Sequence, residues 1–191
     1  MRRLLLGVLT IALLLPLAAC GASGDAEEEA LALRDHYIDM DACTLTADIR
    51  ADYGERVYDF TVDAAYQKDG ESRLTVTAPA LLAGLTVCWK ENTASLCYED
   101  ITVETGYLTE DGLSPMTALP ALLDALRTGG LTACSRETGA DGTETLRVTM
   151  EDEAVSYTFW FDPDTGAPRR AEIAADGYTV ITCRVTAFQF G

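Results

Sequence analysis

The sequence predicts a single α+β domain: one long, curved antiparallel sheet of about eleven strands with helices packed on one face. Three observations lead there. From Cys43 onward apolar and polar residues alternate with period two in segment after segment, as in strands with one buried face. Short turns carrying Gly, Asp and Asn separate these segments, as in hairpins, which join antiparallel neighbours. Two stretches break the alternation with apolar stripes at helical spacing, and such stripes need a surface to cover. No composition break marks a linker and no repeat of fixed period is apparent, so the 191 residues hold one domain behind a leader.

The leader is residues 1–19. Arg2 and Arg3 are followed by an apolar stretch from Leu4 to Leu15, too short for the about 20 residues that span a bilayer but suited to an export signal. It ends in Leu17-Ala18-Ala19-Cys20 before Gly21, which resembles the bacterial lipobox. That resemblance implies cleavage before Cys20 and a diacylglyceryl thioether on its sulfur. Residues 20–25, small and polar, then read as a lipidated tether, and 26–191 as the folded domain. Acids outnumber bases 31 to 14, a net charge of -17; without Arg2 and Arg3 the bases fall to 12 and the charge becomes -19. Anionic lipid repels such a body, so attachment must come from the two acyl chains. The same charge speaks against nucleic acid as a partner, since phosphates need clustered Lys and Arg.

Asp25 reads as a helix cap, with Glu27, Glu28 and Glu29 compensating the dipole of a first turn and Ala30, Leu33, Tyr37 and Met40 forming a stripe. Strands follow near 43–50, 56–62, 74–77, 85–90, 95–99 and 104–109, with about one helical turn at 79–84. Ser114 to Arg127 is a helical insert with Leu119, Leu122, Leu123 and Leu126 on one side; Pro120 places the start of its regular helix there, and Gly129-Gly130 ends it. Five more strands are predicted near 131–137, 144–150, 154–161, 168–175 and 178–189, the last two joined by the hairpin dipeptide Asp176-Gly177.

Leu74-Thr75-Val76-Thr77-Ala78-Pro79, Ala83-Gly84-Leu85-Thr86-Val87, the Pro115 to Leu126 insert, and the strand ending Phe161-Asp162-Pro163-Asp164-Thr165-Gly166-Ala167-Pro168 carry a resemblance over residues 26–190. In this pattern and order the chain resembles the LolA/LolB-like (outer-membrane lipoprotein-sorting, lipoprotein carrier) superfamily. The resemblance implies an unclosed half-barrel whose concave face is covered by helices above an apolar cavity. No family cavity residue is transferred to this sequence. A soluble periplasmic carrier has no lipobox, so Cys20 argues against a free shuttle. Lipoproteins of this group in spore-formers include germination proteins that bind an amidase, which implies an envelope or spore enzyme as an alternative partner.

Five cysteines remain besides Cys20: Cys43, Cys88, Cys97, Cys134 and Cys183. A hairpin centred on Asn92-Thr93 sets Cys88 opposite Cys97, where a cross-strand disulfide or two free thiols on one face are both open. Metal, cofactor and catalytic residues are all predicted absent. Zinc is disfavoured by the Cys88–Cys97 spacing and by His36 being the one histidine, which also leaves cysteine or serine nucleophiles without a base. Composition leaves a glycosidase-type carboxylate pair open, and Asp59 with Asp63 and the run Glu151-Asp152-Glu153 are the visible clusters. The run falls in a turn and reads as solvated charge, and Asp162 to Gly166 reads as a hairpin turn, because Ile173 stands where a calcium loop needs its closing glutamate. Tyr157, Phe159 and Phe161 fall on one face of a strand with Trp160 on the other. The expectation is a non-enzymatic, membrane-anchored extracytoplasmic lipoprotein. It binds an acyl chain, lipid or lipoprotein in an apolar cavity, with the 113–129 insert as a gate. The alternative is a filled-cavity interaction module for an envelope protein.

Overall fold

A computed structural model of the chain describes residues 19–90, 93–99, 101–106, 112–152 and 155–191. The Arg2-Arg3 and Leu4 to Leu15 features of the leader, the Asn92 turn, the 107–109 end of the expected sixth strand and Glu153 lie outside the described residues, as does the side chain of Cys20.

In chain order the elements are α1 (Ala19–Asp39), β1 (Ala42–Asp52), β2 (Val57–Gln67), β3 (Ser72–Ala78), β4 (Thr86–Lys90), β5 (Thr93–Tyr98) and β6 (Ile101–Gly106). Then come α2 (Ala118–Thr128), β7 (Gly130–Thr138), β8 (Glu144–Asp152), β9 (Val155–Phe161), β10 (Pro168–Ala175) and β11 (Tyr178–Phe190). The eleven strands form one unclosed antiparallel sheet in the order β6-β5-β4-β3-β2-β1-β11-β10-β9-β8-β7. The sheet consists of two meanders. The first runs outward from β1 to one edge, the chain crosses through α2 to the other edge, and the second returns from β7 to pair β11 with β1. That crossover lays α2 across the sheet.

One parity of each strand faces the helices. Ala47, Ile49 and Ala51 of β1 stand opposite Val62, Phe60 and Tyr58 of β2 on one side and Val185, Cys183 and Ile181 of β11 on the other. Beyond β11 the row continues through Ile173, Tyr157 and Met150. These join Leu74, Val76, Leu146, Val148, Phe159 and Phe161 in a core closed by Ala26, Ala30 and Tyr37 of α1 and by Ala118, Leu122 and Leu126 of α2. At about 25 cal/mol per Å² of apolar surface removed from water, this burial is the main source of stability. The helices also touch: Arg34 donates to the carbonyl of Arg127 at 3.4 Å, in the last turn of α2, where carbonyls lack helical partners.

The sequence-based boundaries shift in four places. The described residues are already helical from Ala19 on, ahead of the expected Asp25 cap and through the segment read as a tether. Glu27 to Glu29 therefore sit beyond the first turn, and Glu29 instead pairs with Arg136 of β7 at 2.8 Å. The second helix starts at Ala118 after a turn closed by Ser114 and Thr117, so Pro120 occupies its first turn, where a missing N–H costs no helical bond. The sixth strand covers Ile101–Gly106 and not 104–109. Lastly, Lys90 pairs with Thr93, whose hydroxyl donates to the Lys90 carbonyl at 3.0 Å. This sets Cys88 opposite Ser95 and Cys97 opposite Thr86, correcting the expected Cys88–Cys97 pairing. A two-residue slip keeps every side chain on its face, so the apolar pattern fits both registers and the turn chooses between them.

Candidate ligand-binding cleft

Beneath α2 lies a cavity of about 70 Å³. Its roof is Leu119, Leu122, Leu123 and Leu126, spaced at three and four residues so that one helical face turns inward. Its floor comes from Leu45, Ala64, Phe159, Ala171, Cys183 and Phe188, drawn from both meanders. Tyr37 closes one end; its hydroxyl donates to the carbonyl of Gly166 at 2.9 Å, which removes the ring's polar atom from the apolar void. Burial raises the Tyr37 phenol well above its ordinary range, so it stays neutral. The arrangement offers apolar contact and no group able to activate water or hold a charge.

A second, larger space of about 450 Å³ opens at the end of the cleft, between the C-terminal half of α2, the ends of β2 to β4 and the β8–β9 hairpin. Its walls are charged. Lys68, Lys90 and Arg127 contribute cations, while Asp124, Glu151 and Asp152 contribute acids. Among the described residues none of the six makes an ion pair. Lys68 donates to the carbonyl of Ile38 at 3.1 Å, and the Arg127 guanidinium lies 5.4 Å from the Tyr66 ring centre. Tyr66, Trp89 and Leu123 line both spaces, so these three side chains stand between the polar groove and the apolar cavity.

Among the described cysteines only Cys88 and Cys97 come together. Cys43 and Cys183 lie on neighbouring strands, but Cys43 faces Phe190 and Cys183 faces Ile49. Burial pushes their thiols up to about 11 and about 12, leaving both protonated and inert at neutral pH. Cys88 and Cys97 share the convex face as diagonal neighbours, both free, with the Cys97 sulfur 3.5 Å from the Thr102 hydroxyl. Cys134 is also free, opposite Val148.

The remaining candidates take ordinary places. The His36 ring packs edge-on against Phe190 with centres 4.5 Å apart. Asp59 and Asp63 bond separately to Arg50 and Thr46 on the convex face. Asp162 accepts from the amides of Asp164 and Thr165 at 2.9 and 3.1 Å and pairs with Arg169, whose hydrogen bond holds its carboxyl down at about 2. That is a turn tying itself closed. Trp160 lies on the convex face between Arg147 and Arg170, its N–H donated to Glu137 at 2.9 Å, while Tyr157, Phe159 and Phe161 face the core as their parity requires. Of the charged groove residues the sequence singled out Glu151 and Asp152, read there as solvated charge; Lys68, Lys90, Asp124 and Arg127 carried no signal, because they share no local pattern.

Among the described residues no helix is long and apolar enough to cross a membrane. No family model and no curated protein matches the chain. Solved structures do. A DUF1329 family protein from Desulfovibrio piger superposes with a TM-score of 0.53 at 12% identity, covering 88% of this chain and 93% of that one. An uncharacterised conserved protein from Thermus thermophilus gives 0.52 at 11% identity, over 86% and 87%. A domain described as an outer membrane lipoprotein-sorting protein, from Vibrio parahaemolyticus, gives 0.51 at 10% identity, over 86% and 93%. The fold is LolA/LolB-like.

Proposed function

We propose that this chain is an extracytoplasmic lipoprotein, tethered through Cys20, that takes an acyl chain or similar apolar ligand between α2 and the concave face of its sheet. The observation that carries the reading is the apolar void beneath a single crossover helix: leucines above, aromatic and aliphatic side chains below, and the Tyr37 hydroxyl bonded elsewhere. A buried CH₂ contributes about 0.8 kcal/mol, so a chain of several carbons is held without any specific polar contact. At about 70 Å³ the void is smaller than the roughly 300–1,000 Å³ of small-molecule pockets, so uptake requires α2 or the side chains under it to move. Helix α2 suits this role, since it ends at Gly129-Gly130 and bears on the sheet through side chains alone.

Native mass spectrometry of protein taken from its own envelope tests the reading. An adduct of lipid mass that exchanges with added lipid is expected; a protein consistently free of adducts removes carriage. Cys20→Ala is expected to release the chain into the medium, and full retention on the membrane would remove the anchor.

The small void also favours a second reading, a filled-cavity module that binds an envelope protein. Tyr98, Ile101 and Val103 leave an apolar strip exposed on β5 and the edge strand β6. One stoichiometric protein partner at native abundance, with no extractable lipid, would select it.

A further inference from the structure

We infer that the charged groove and the apolar cavity are two halves of one site for a zwitterionic amphiphile, whose headgroup lies in the groove and whose chain passes Tyr66, Trp89 and Leu123. The inference rests on the apolar-ligand reading above and adds the class of headgroup and the route of the chain.

The route follows from shared walls. The groove and the cavity share Tyr66, Trp89 and Leu123 in their linings, so these residues form the barrier between them. Moving it breaks no hydrogen bond between those side chains and the described residues. Neither the Trp89 N–H nor the Tyr66 hydroxyl has a hydrogen-bond partner among the described residues, and Leu123 has no polar atom. With the three turned aside the joined space falls within the range of small-molecule pockets, which the cavity alone does not reach.

The headgroup follows from the charges. Lys68 and Lys90 stand at the ends of the β2 and β4 wall, Glu151 and Asp152 at the end of β8 across the groove, and α2 contributes Arg127 and Asp124. In a chain with more than twice as many acids as bases, three cations gathered at one opening are a local exception. Charges of both signs around one opening, with no ion pair among the described residues, are suited to a ligand bearing both signs. A phosphate meets the cations while an ammonium a few bonds away meets the acids. A headgroup of one sign gains one wall and is repelled by the other, and such like-charge opposition is how charged sites exclude wrong ligands.

The test uses the full chain in vesicles of a neutral glycolipid, with Trp160→Phe so that Trp89 is the one tryptophan. Monoacyl phosphoethanolamine, alkyl phosphate and alkylammonium of equal length, each brominated at the chain end, are added below their micellar concentrations. Saturable quenching of Trp89 is expected, with the zwitterion bound at least tenfold tighter than either singly charged amphiphile. Chain-free glycerophosphoethanolamine should compete at least tenfold more weakly. Lys90→Gln should erase the preference over the alkylammonium, and Asp152→Asn the preference over the alkyl phosphate. Ala64→Leu, which narrows the inner cavity, should weaken all three while the far-UV circular dichroism is retained. Equal binding of the three amphiphiles with full quenching would overturn the headgroup inference and leave the apolar site standing. Adducts detected by native mass spectrometry without quenching of Trp89 would overturn the route. Absence of both would remove the apolar-ligand reading itself.

Discussion

The two ends of the sheet are built from the same alternating strands and finish in opposite ways. In the half from β8 to β11, the concave face is sealed: Leu146, Phe161, Ile173 and Ile181 have no exposed surface, because α1 and α2 lie over them. In the other half, burial is complete at Val62, Leu74 and Val76 and then fails, leaving Ile101 64% and Val103 53% exposed on the edge strand. The strands differ little in pattern; the helices differ in reach. Alternation makes a face apolar, but a third element must arrive before that face becomes core.

Substitutions can break this comparison, and the greatest loss is expected in the sealed half. Phe161 packs between Phe159 and Tyr37 with ring centres 5.7 and 5.6 Å away, and Phe161→Ala should cost about 3–5 kcal/mol in urea unfolding. Next comes Tyr37→Phe, which keeps the ring but strips the Gly166 carbonyl of its 2.9 Å donor; a loss of about 1–3 kcal/mol is expected by the same measurement.

A smaller effect should show in the alkaline limb of stability. The Cys183 thiol is raised from 9.0 to about 12 in the fold, so the folded state favours the protonated form. Its contribution is complete below pH 9 and declines as the pH climbs toward 12, the unfolded chain ionising first. Cys183→Ala should flatten the decline of the thermal midpoint over that window. An unchanged slope would mean that the buried thiol is not what the alkaline limb reports. The least effect is expected at the open edge, where Ile101→Ala and Val103→Ala should each stay within about 0.5 kcal/mol. A loss as large as that at Phe161 would show that something covers this edge in solution.

The sequence made the strands, their faces and the two helical inserts legible, because alternation and three-to-four spacing are local consequences of backbone geometry. The Tyr157, Phe159 and Phe161 face and the Leu119 to Leu126 stripe were readable for that reason. The Cys88–Cys97 register was not, since a two-residue slip leaves every apolar residue inward. Nor was the course of α1, where Asp25 and three glutamates imitate a helix start although the backbone is already helical from Ala19 on. The groove was illegible for a different reason: Lys68, Lys90, Arg127 and Asp152 are ordinary surface residues until the sheet curls and α2 crosses it.

What the sequence by itself determined is a two-faced antiparallel sheet, two apolar-striped helices and an acidic body. What only the tertiary structure decided is the pairing of β1 with β11, which turns two meanders into one sheet and obliges α2 to bridge its edges. Local spacing sets which way a side chain points, but long-range pairing sets what it meets. Both the cavity and the charged groove exist because residues far apart in the chain meet beneath that bridge.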